Sequence, residues 1–232
     1  MLKKILQYLQ DFFFIIYPRS CECCSNPLVH NENILCSKCL VEMPRSVYFD
    51  NEKNPILTLL AGRVPIKSAI SLFSFTKDSN YRKLLHKLKY KNKPEIGILL
   101  GEELGAEMKK HEIFSQIDFI VPVPLHSRRQ KWRGYNQSEK IADGISNITK
   151  IPVLTNNFIR NKETTTQTRK SKEERWQNVS GKFLIKDKDV LKNKHILIVD
   201  DVLTTGATIE ACAEELLKIE NLSLSIAVLA KV

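Results

Sequence analysis

The stretch 195-HILIVDDVLTTGAT-208 decides the fold of this 232-residue chain. Its apolar first half predicts a buried strand over residues 195–199, which ends at the acid pair Asp200-Asp201. Its second half contains threonines and Gly206, and it predicts a turn that leads into a helix over residues 208–219. Ligands of open α/β sheets bind at the ends of strands, so this stretch marks a candidate binding site.

The polar residues of this stretch are of the types that bind a phosphorylated sugar. Gly206 lets the backbone come close to an oxyanion, and the N–H groups at the start of the following helix point towards it. Threonine hydroxyls donate further hydrogen bonds to phosphate, while adjacent carboxylates accept from ribose hydroxyls or hold magnesium through water. The candidate binding residues are Asp200, Asp201, Thr204, Thr205, Gly206, Ala207 and Thr208.

A strand that ends in two acids is also expected in three structures of other kinds. A Walker B strand requires a Gly-x4-Gly-Lys-Ser/Thr loop elsewhere, but the only Gly-Lys pair, Gly181-Lys182, is followed by Phe183. A response-regulator receiver would have its acid pair near the start of the domain, and a helix cap without a ligand remains open. The stretch resembles the 5-phosphoribosyl-1-pyrophosphate (PRPP) motif of type I phosphoribosyltransferases, which implies PRPP and Mg²⁺ as ligands.

Hydrophobic periodicity outside this stretch predicts an α/β domain. Further strands are expected over residues 69–75, 117–123 and 224–229, and further helices over 95–110 and 136–148. Strands separated by helices indicate a mainly parallel sheet flanked by helices. With the PRPP-like motif, this implies a type I phosphoribosyltransferase fold. Residues 44–65 are rich in proline and are expected to be a connector with a short helix near 56–61.

Five of the six cysteines lie between residues 21 and 39, and this clustering favours metal binding in a reducing compartment. They form two Cys-x-x-Cys knuckles separated by eleven residues, which supply the four thiolates of a tetrahedral structural zinc site. The candidate ligands are Cys21, Cys24, Cys36 and Cys39. Cys23 could replace a neighbour but lacks the knuckle spacing, and a redox pair or an iron–sulfur cluster is the alternative to zinc.

The N-terminal segment is expected to be a helix. Its apolar residues recur at helical spacing from Leu2 to Ile16, which favours an amphipathic helix that packs on the domain over a membrane contact. No run approaches the roughly 20 apolar residues of a transmembrane helix. We expect residues 1–55 to comprise this helix, the zinc-ribbon-like module and the connector, and residues 56–232 to form the phosphoribosyltransferase-like domain.

Motifs outside the PRPP-like stretch resemble the ComF family of bacterial competence proteins. They are 121-VPVPL-125, Arg128 and Arg129, 133-RGYNQ-137, 167-QTR-169 and 174-ERWQNVSGKF-183. The likeness runs from about residue 18 to the C-terminus, although Tyr135 and Trp176 stand where other residue types are expected. It implies a cytoplasmic protein that handles single-stranded DNA in natural transformation, beside a competence helicase and DNA-processing proteins.

The resemblance also assigns a second ligand loop. In transferases of this fold the loop after the first core strand binds pyrophosphate, which corresponds to residues 122–129 here. Backbone N–H groups and arginine side chains suit phosphate oxygens, although a solvated basic face would explain the arginines equally. The candidate residues are Pro124, Leu125, Arg128 and Arg129. The long polar stretch 156–182 is the candidate for a flap that closes over the site.

Charge favours an anionic partner, since 36 lysines and arginines face 26 acids, a net charge of +10. Residues 82–93 contain six of these cations and no acid, with Tyr81 and Tyr90 interleaved. Cations bind backbone phosphates and aromatic rings stack on splayed bases, so this run could contact DNA. A solvated charged surface is the alternative. The candidate DNA-binding residues are Lys87, Lys89, Tyr90, Lys91, Trp132 and Arg133.

The sequence leaves two functions open and identifies no catalytic residue. One is a PRPP-binding protein of DNA uptake, and the other is an active phosphoribosyltransferase of nucleotide metabolism or salvage. No side chain reveals an acceptor base for the second. A glutamine amidotransferase is not expected, because Leu2 follows Met1 where such an enzyme has a nucleophilic cysteine.

Overall fold

A computed structural model of the chain describes residues 19–46, 54–74, 79–160 and 183–231. The predicted N-terminal helix and most of the predicted flap, residues 161–182, lie outside the described residues. No helix among those described is long and apolar enough to span a membrane.

A four-stranded sheet forms the centre of the fold. Its strands are β1 (Ser68–Ser74), β2 (Phe119–Pro122), β5 (His195–Leu203) and β6 (Ser223–Lys231). Their order across the sheet is β1-β6-β5-β2. Every pairing between them is parallel. The two inner strands are apolar almost throughout because helices cover both faces of the sheet. The predicted parallel α/β architecture is confirmed.

Helices and one small hairpin surround this sheet. The helices are α1 (Ser37–Val41), α2 (Pro55–Leu60), α3 (Asn80–Tyr90), α4 (Pro94–Met108), α5 (Ser127–Arg133), α6 (Gln137–Thr149) and α7 (Ala207–Leu216). The antiparallel strands β3 (Phe158–Arg160) and β4 (Phe183–Ile185) bracket the undescribed residues 161–182. Helix α3 contains much of the basic run, and it is amphipathic because Leu84, Leu85 and Leu88 are buried.

Alternate residues of β5 divide the core between the two faces of the sheet. Leu197 and Val199 belong to the cluster that contains buried residues of α3, α4, α6 and the cysteine segment. Ile196 and Ile198 belong to the cluster that contains α2 and α7. The acid pair therefore sits near the carboxyl end of a strand that is fixed on both faces and on both edges.

Helices α4 and α6 pack with their backbones in contact. A Cβ at Gly101 would lie 2.2 Å from the carbonyl oxygen of Ile141, and a Cβ at Gly144 would lie 2.1 Å from that of Ile98. Only glycine allows this approach. It fixes α6, whose first turn reaches the acid pair.

Candidate functional site

The acid pair lies at the carboxyl end of β5, between β2 and β6. This strand continues to Leu203, four residues beyond the predicted end, so Asp200 still pairs with Val228 of β6. Asp200 Oδ1 accepts hydrogen bonds from the Ser138 hydroxyl at 3.0 Å and from the Asp201 N–H at 2.9 Å. The pairing and these two bonds fix the direction of the Asp200 carboxylate before any ligand binds.

The charge of the acid pair is only partly balanced. Lys89 Nζ lies 2.9 Å from Oδ1 of Asp201, whose other oxygen, Oδ2, is buried without a hydrogen-bond partner among the described residues. Burial and the neighbouring charge of Asp201 raise the pKa of Asp200 to about 7. Two carboxylates with one lysine and one unused acceptor form a site suited to hydroxyl donors or to a cation.

The turn after β5 exposes the start of α7. Gly206 has φ +80° and precedes Ala207, the first residue of the helix, without a side-chain cap of its own. The nearest substitute, the Thr205 hydroxyl, lies 3.5 Å from the Ala207 nitrogen. Thr204 and Thr208 are exposed as well. The N–H groups and hydroxyls that could bind a phosphate therefore face outwards together.

Arg63 contacts this turn and the helix that follows it, and sequence reasoning missed this residue. Its Nη1 donates to the carbonyl oxygen of Thr205 at 3.1 Å and lies 3.4 Å from a carboxylate oxygen of Glu210. Arg63 belongs to residues 44–65, which the sequence predicted to be a connector without a part in the site. Its short helix α2 also supplies Leu60, whose Cδ2 lies 2.9 Å from where a Cβ on Gly206 would be.

The predicted pyrophosphate loop leaves the same edge of the sheet. Strand β2 ends at Pro122, and the Val123 N–H still donates to the carbonyl of Val199 at 2.9 Å. Parallel neighbours end at one edge, so this loop and the turn after β5 start side by side. The loop is shorter than predicted, because His126 caps α5 and places Arg128 and Arg129 on the first turn of a helix. Both arginines are exposed.

The 133-RGYNQ-137 motif connects that loop to the acid pair. Asn136 donates to the carbonyl of Val123 at 3.0 Å, and its side-chain oxygen caps α6 by accepting from the Ser138 N–H at 3.1 Å. The Tyr135 hydroxyl donates to the carbonyl of Leu88 in α3. These bonds set Ser138 against Asp200, a contact that sequence reasoning also missed. A serine in the first turn after an asparagine cap was the only signal for it.

Four cysteine sulfurs form a compact cluster at the N-terminal module. The Sγ atoms of Cys21, Cys24, Cys36 and Cys39 all lie within 4.8 Å of one another. Cys24 and Cys36 are 3.7 Å apart, close to the roughly 3.8 Å that a tetrahedron of 2.3 Å Zn–S bonds requires. Backbone N–H groups of Cys36 and Cys39 point at sulfurs of the cluster, at 3.3 and 3.4 Å. The residues fit a metal ion, and Cys23 lies outside the four.

The module is docked on α3 by polar contacts. Glu22 forms ion pairs with Lys87 at 3.0 Å and with Lys93 at 3.2 Å. The Tyr81 hydroxyl donates to the carbonyl of Cys39 at 2.7 Å. The basic run contains no acid in its sequence, but acids from other parts of the chain contact it in the structure. Lys87 is paired with Glu22, and Lys89 is paired with Asp201. Of the residues predicted to bind DNA, Lys91 is exposed, and Tyr90, Trp132 and Arg133 lie together.

Comparison with known sequences agrees with this geometry. The phosphoribosyl transferase domain family matches residues 112–232. Competence protein F of Haemophilus influenzae is 33% identical over 140 residues, which are 59% of this chain and 61% of that protein. The DNA utilization protein YhgH of Salmonella typhimurium is 28% identical over 201 residues, 85% of this chain and 78% of that protein. The chain thus matches 61% of the length of the first relative.

Among solved structures, the purine phosphoribosyltransferase from Pyrococcus horikoshii Ot3 aligns over 62% of this chain and 75% of its own. The alignment has a TM-score of 0.35 and a sequence identity of 22%.

Proposed function

The chain belongs to the phosphoribosyl transferase domain family, and on that premise we propose that residues 200–208 bind PRPP or a related phosphoribosyl ligand with Mg²⁺. One observation carries the proposal. A fixed, incompletely balanced acid pair lies near the carboxyl end of an inner strand of the parallel sheet, and an uncapped helix start follows that strand. An acid pair recognises vicinal hydroxyls or magnesium, and a helix start recognises phosphate.

Each residue has a role that follows from its place. Asp200 and Asp201 accept the ribose 2- and 3-hydroxyls, directly or through magnesium. Gly206 and the N–H groups that follow it bind the 5-phosphate, with the three threonine hydroxyls as further donors. The loop Pro124-Leu125 and the guanidinium groups of Arg128 and Arg129 bind the pyrophosphate.

The metal of the cysteine site is zinc in this proposal. A closed set of four thiolates is the shell that zinc prefers in structural sites, and it leaves no position open for catalysis. The ion would hold the module on α3 and take no part in ligand chemistry. Five clustered free cysteines also suit a reducing compartment, and we therefore place the protein in the cytoplasm.

The biological role that we propose is the handling of single-stranded DNA during its uptake or utilization. Two relatives carry names of this kind, competence protein F and DNA utilization protein YhgH. The net charge of +10 is in keeping with a polyanionic partner. Competence helicases and other DNA-processing proteins are the protein partners that this role implies.

Calorimetric titration with PRPP and Mg²⁺ tests the ligand proposal. Asp200→Ala/Asp201→Ala should weaken binding by about a hundredfold or more, because each charge-assisted hydrogen bond contributes roughly 1.5–3 kcal/mol and 1.4 kcal/mol is tenfold. The matched control is Asp189→Ala, an exposed aspartate that forms an ion pair with Lys192. Its affinity should equal that of the wild type.

Melting temperature and zinc content check that the double variant is folded. Equal affinity of a folded double variant and the wild type would refute the assignment of the acid pair. If the variant loses PRPP binding while DNA uptake is unimpaired in cells, the site stands but its role in uptake is wrong.

A further inference from the structure

Two exposed aromatic side chains from different helices meet on the surface. Tyr90, the last residue of α3, is 49% exposed, and Trp132 on α5 is 70% exposed. Their ring centroids are 6.0 Å apart. The chain separates them by some forty positions, so this contact was not visible in the sequence. Exposed rings that touch each other instead of the core form a surface suited to a partner.

Two further groups extend this pair. The His86 ring lies 4.8 Å from that of Tyr90, and the Arg133 guanidinium lies 5.4 Å from the Tyr90 centroid. The second of these is a cation–π contact. Arg133 also donates to Gln137, while its Nε is buried without a hydrogen-bond partner in the described part of the chain. We call His86, Tyr90 and Trp132 the aromatic ladder.

A basic cleft adjoins the ladder. It has a volume of about 550 Å³, and its lining residues are Glu22, Lys83, His86, Lys87, Lys91 and Lys93. His86 therefore belongs to both the cleft and the ladder. Glu22 is the only acid among these lining residues, and it is already paired with two of the lysines. The cleft keeps a net positive charge.

We propose that the aromatic ladder and the basic cleft together bind single-stranded DNA, with bases stacked on Tyr90 and Trp132 and phosphates in the cleft. A ladder of rings beside a row of ammonium groups matches the alternation of base and phosphate along an unpaired strand. Bases of duplex DNA are stacked on one another and cannot reach the rings. This inference rests on the proposed role in DNA handling and names the surface that performs it.

The cations and the rings contribute in ways that differ experimentally. A phosphate contact releases counterions, so its loss weakens binding and lowers the dependence of affinity on salt, by about 0.7 in slope per contact on a single strand. A stacking contact releases none. Loss of a ring should weaken binding by about tenfold and leave the slope unchanged.

Fluorescence anisotropy with a labelled oligothymidylate measures both effects across a series of salt concentrations. Trp132→Ala and Tyr90→Ala should each weaken binding by about tenfold at an unchanged slope, whereas Trp132→Phe should keep most of the affinity. Lys91→Ala should lower the slope, and Lys218→Ala, an exposed lysine paired with Glu215, should change neither quantity. Unlabelled duplex DNA should compete weakly.

Intrinsic fluorescence provides a direct test of stacking. The chain has two tryptophans, so a Trp176→Phe background leaves Trp132 as the only reporter. The oligothymidylate should quench its emission in proportion to binding, because a stacked base lies against the indole ring.

The outcomes separate this surface from the proposed function. If the wild type binds the oligonucleotide and Trp132→Ala binds it equally, or if duplex DNA competes equally, the surface is wrong and DNA handling stands. If the wild type binds no oligonucleotide but binds PRPP with Mg²⁺, both the surface and the DNA role are wrong, while the phosphoribosyl site stands.

Discussion

The cysteine cluster and the acid pair each bring together side chains that repel one another when they are ionised. The two sites differ in the secondary structure that holds their backbones in place. The four sulfurs sit on turns and on the five-residue helix α1, in a segment that contributes no strand to the central sheet. The two carboxylates lie in the second half of a nine-residue strand, and this strand has a hydrogen-bonded neighbour on each side. We therefore expect the first cluster to depend on its ligand for stability, whereas the second is held by the sheet before a ligand binds.

This difference determines what each ligand does. Metal binding to a site that does not exist in the unfolded chain contributes directly to folding. The proposed phosphoribosyl ligand would bind to a turn that β5, Arg63 and α2 already hold in place, so little of its binding energy would be used to fold the site. Changes at the sulfurs should therefore affect folding, and changes at the turn should affect binding.

The largest effect is expected from Cys21→Ser. Loss of one thiolate should abolish stoichiometric zinc binding and unfold the module, because the remaining three sulfurs leave the ion incompletely coordinated. Elemental analysis and hydrogen exchange over residues 19–46 measure the two effects. Cys23→Ser is the matched control and should retain one zinc per chain, since Cys23 lies outside the cluster. Full zinc occupancy in Cys21→Ser, or its loss in Cys23→Ser instead, would show that the ligand set is wrong.

Gly206→Ala should have the next largest effect, and on binding. The new methyl group would point towards α2 and lie 2.9 Å from Leu60 Cδ2, so the turn that carries the proposed phosphate site must shift, and the affinity for PRPP with Mg²⁺ should fall about tenfold or more. A residue with φ +80° also costs about 1–2 kcal/mol of stability once it carries a Cβ.

Gly62→Ala separates these two effects. Gly62 has a similar φ of +74°, but no atom lies within 4 Å of the position that its Cβ would take, so this variant should lose only the stability that the positive φ costs and should keep its affinity. Equal affinities of the two variants, measured by calorimetry, would mean that the position of the turn at Gly206 does not affect ligand binding.

The sequence predicted the parts of the site that are contiguous along the chain. The strand, turn and helix of residues 195–219 follow from periodicity, and the ComF resemblance is confirmed by the curated relatives. The four-sulfur cluster follows from the spacing of two knuckles. Each of these depends on residues a few positions apart, where local geometry decides the outcome.

The contacts that complete the site could not be predicted in this way. Ser138 reaches Asp200, and Lys89 reaches Asp201, only because α3 and α6 pack on the same face of the sheet. Backbone contact between α4 and α6 at Gly101 positions one of these helices. Such pairs depend on how the helices pack on the sheet, and the hydrophobic periodicity of one sequence does not predict that packing. For the same reason, the sequence did not predict that Glu22 and Asp201 would pair with lysines of the basic run.

Ligand binding at the acid pair should depend on pH. The pKa of Asp200 is raised to about 7 by burial and by the charge of Asp201, so a proton would have to leave before the proposed magnesium ion binds. Affinity should fall as the pH drops below 7, approaching about tenfold per unit. A raised pKa favours the protonated folded state, so the stability contributed by Asp200 should decline as the pH rises from about 4 to 7.

Asp200→Asn is the control for both measurements. It should remove the Asp200 contribution and leave only the titration of the ligand's own phosphate groups. Calorimetry between pH 5.5 and 8 measures the affinity, with the range chosen to bracket a pKa of about 7. A wild-type profile that matches the Asn variant would show that Asp200 is already ionised well below neutral pH.

The smallest effect concerns helix α3, which joins the two regions. Lys87 pairs with Glu22 of the cysteine module, and Lys89, two residues later, pairs with Asp201 of the acid pair. Glu22 has a second cation in Lys93, and its ion pair with Lys87 is half-buried. Asp201 is 4% exposed, and its Oδ2 has no hydrogen-bond partner in the described ranges.

Lys87→Gln and Lys89→Gln should therefore differ although they remove the same charge from one helix. The first should lower the free energy of unfolding by about 0.2–1 kcal/mol, as for a partly solvated pair that keeps another partner. The second should lower it by about 1–3 kcal/mol, because it leaves a buried carboxylate without its cation. Adding Asp201→Asn to Lys89→Gln should recover most of that loss, since the uncompensated charge is gone. Urea denaturation of zinc-loaded protein without PRPP measures all four variants, with Glu22→Gln/Lys87→Gln as the matched double. Suppose instead that the two lysine variants lose the same free energy of unfolding and that adding Asp201→Asn restores none of it. The acid pair would then be as well solvated as the surface of the cysteine module, and burial of charge would not distinguish the two sites.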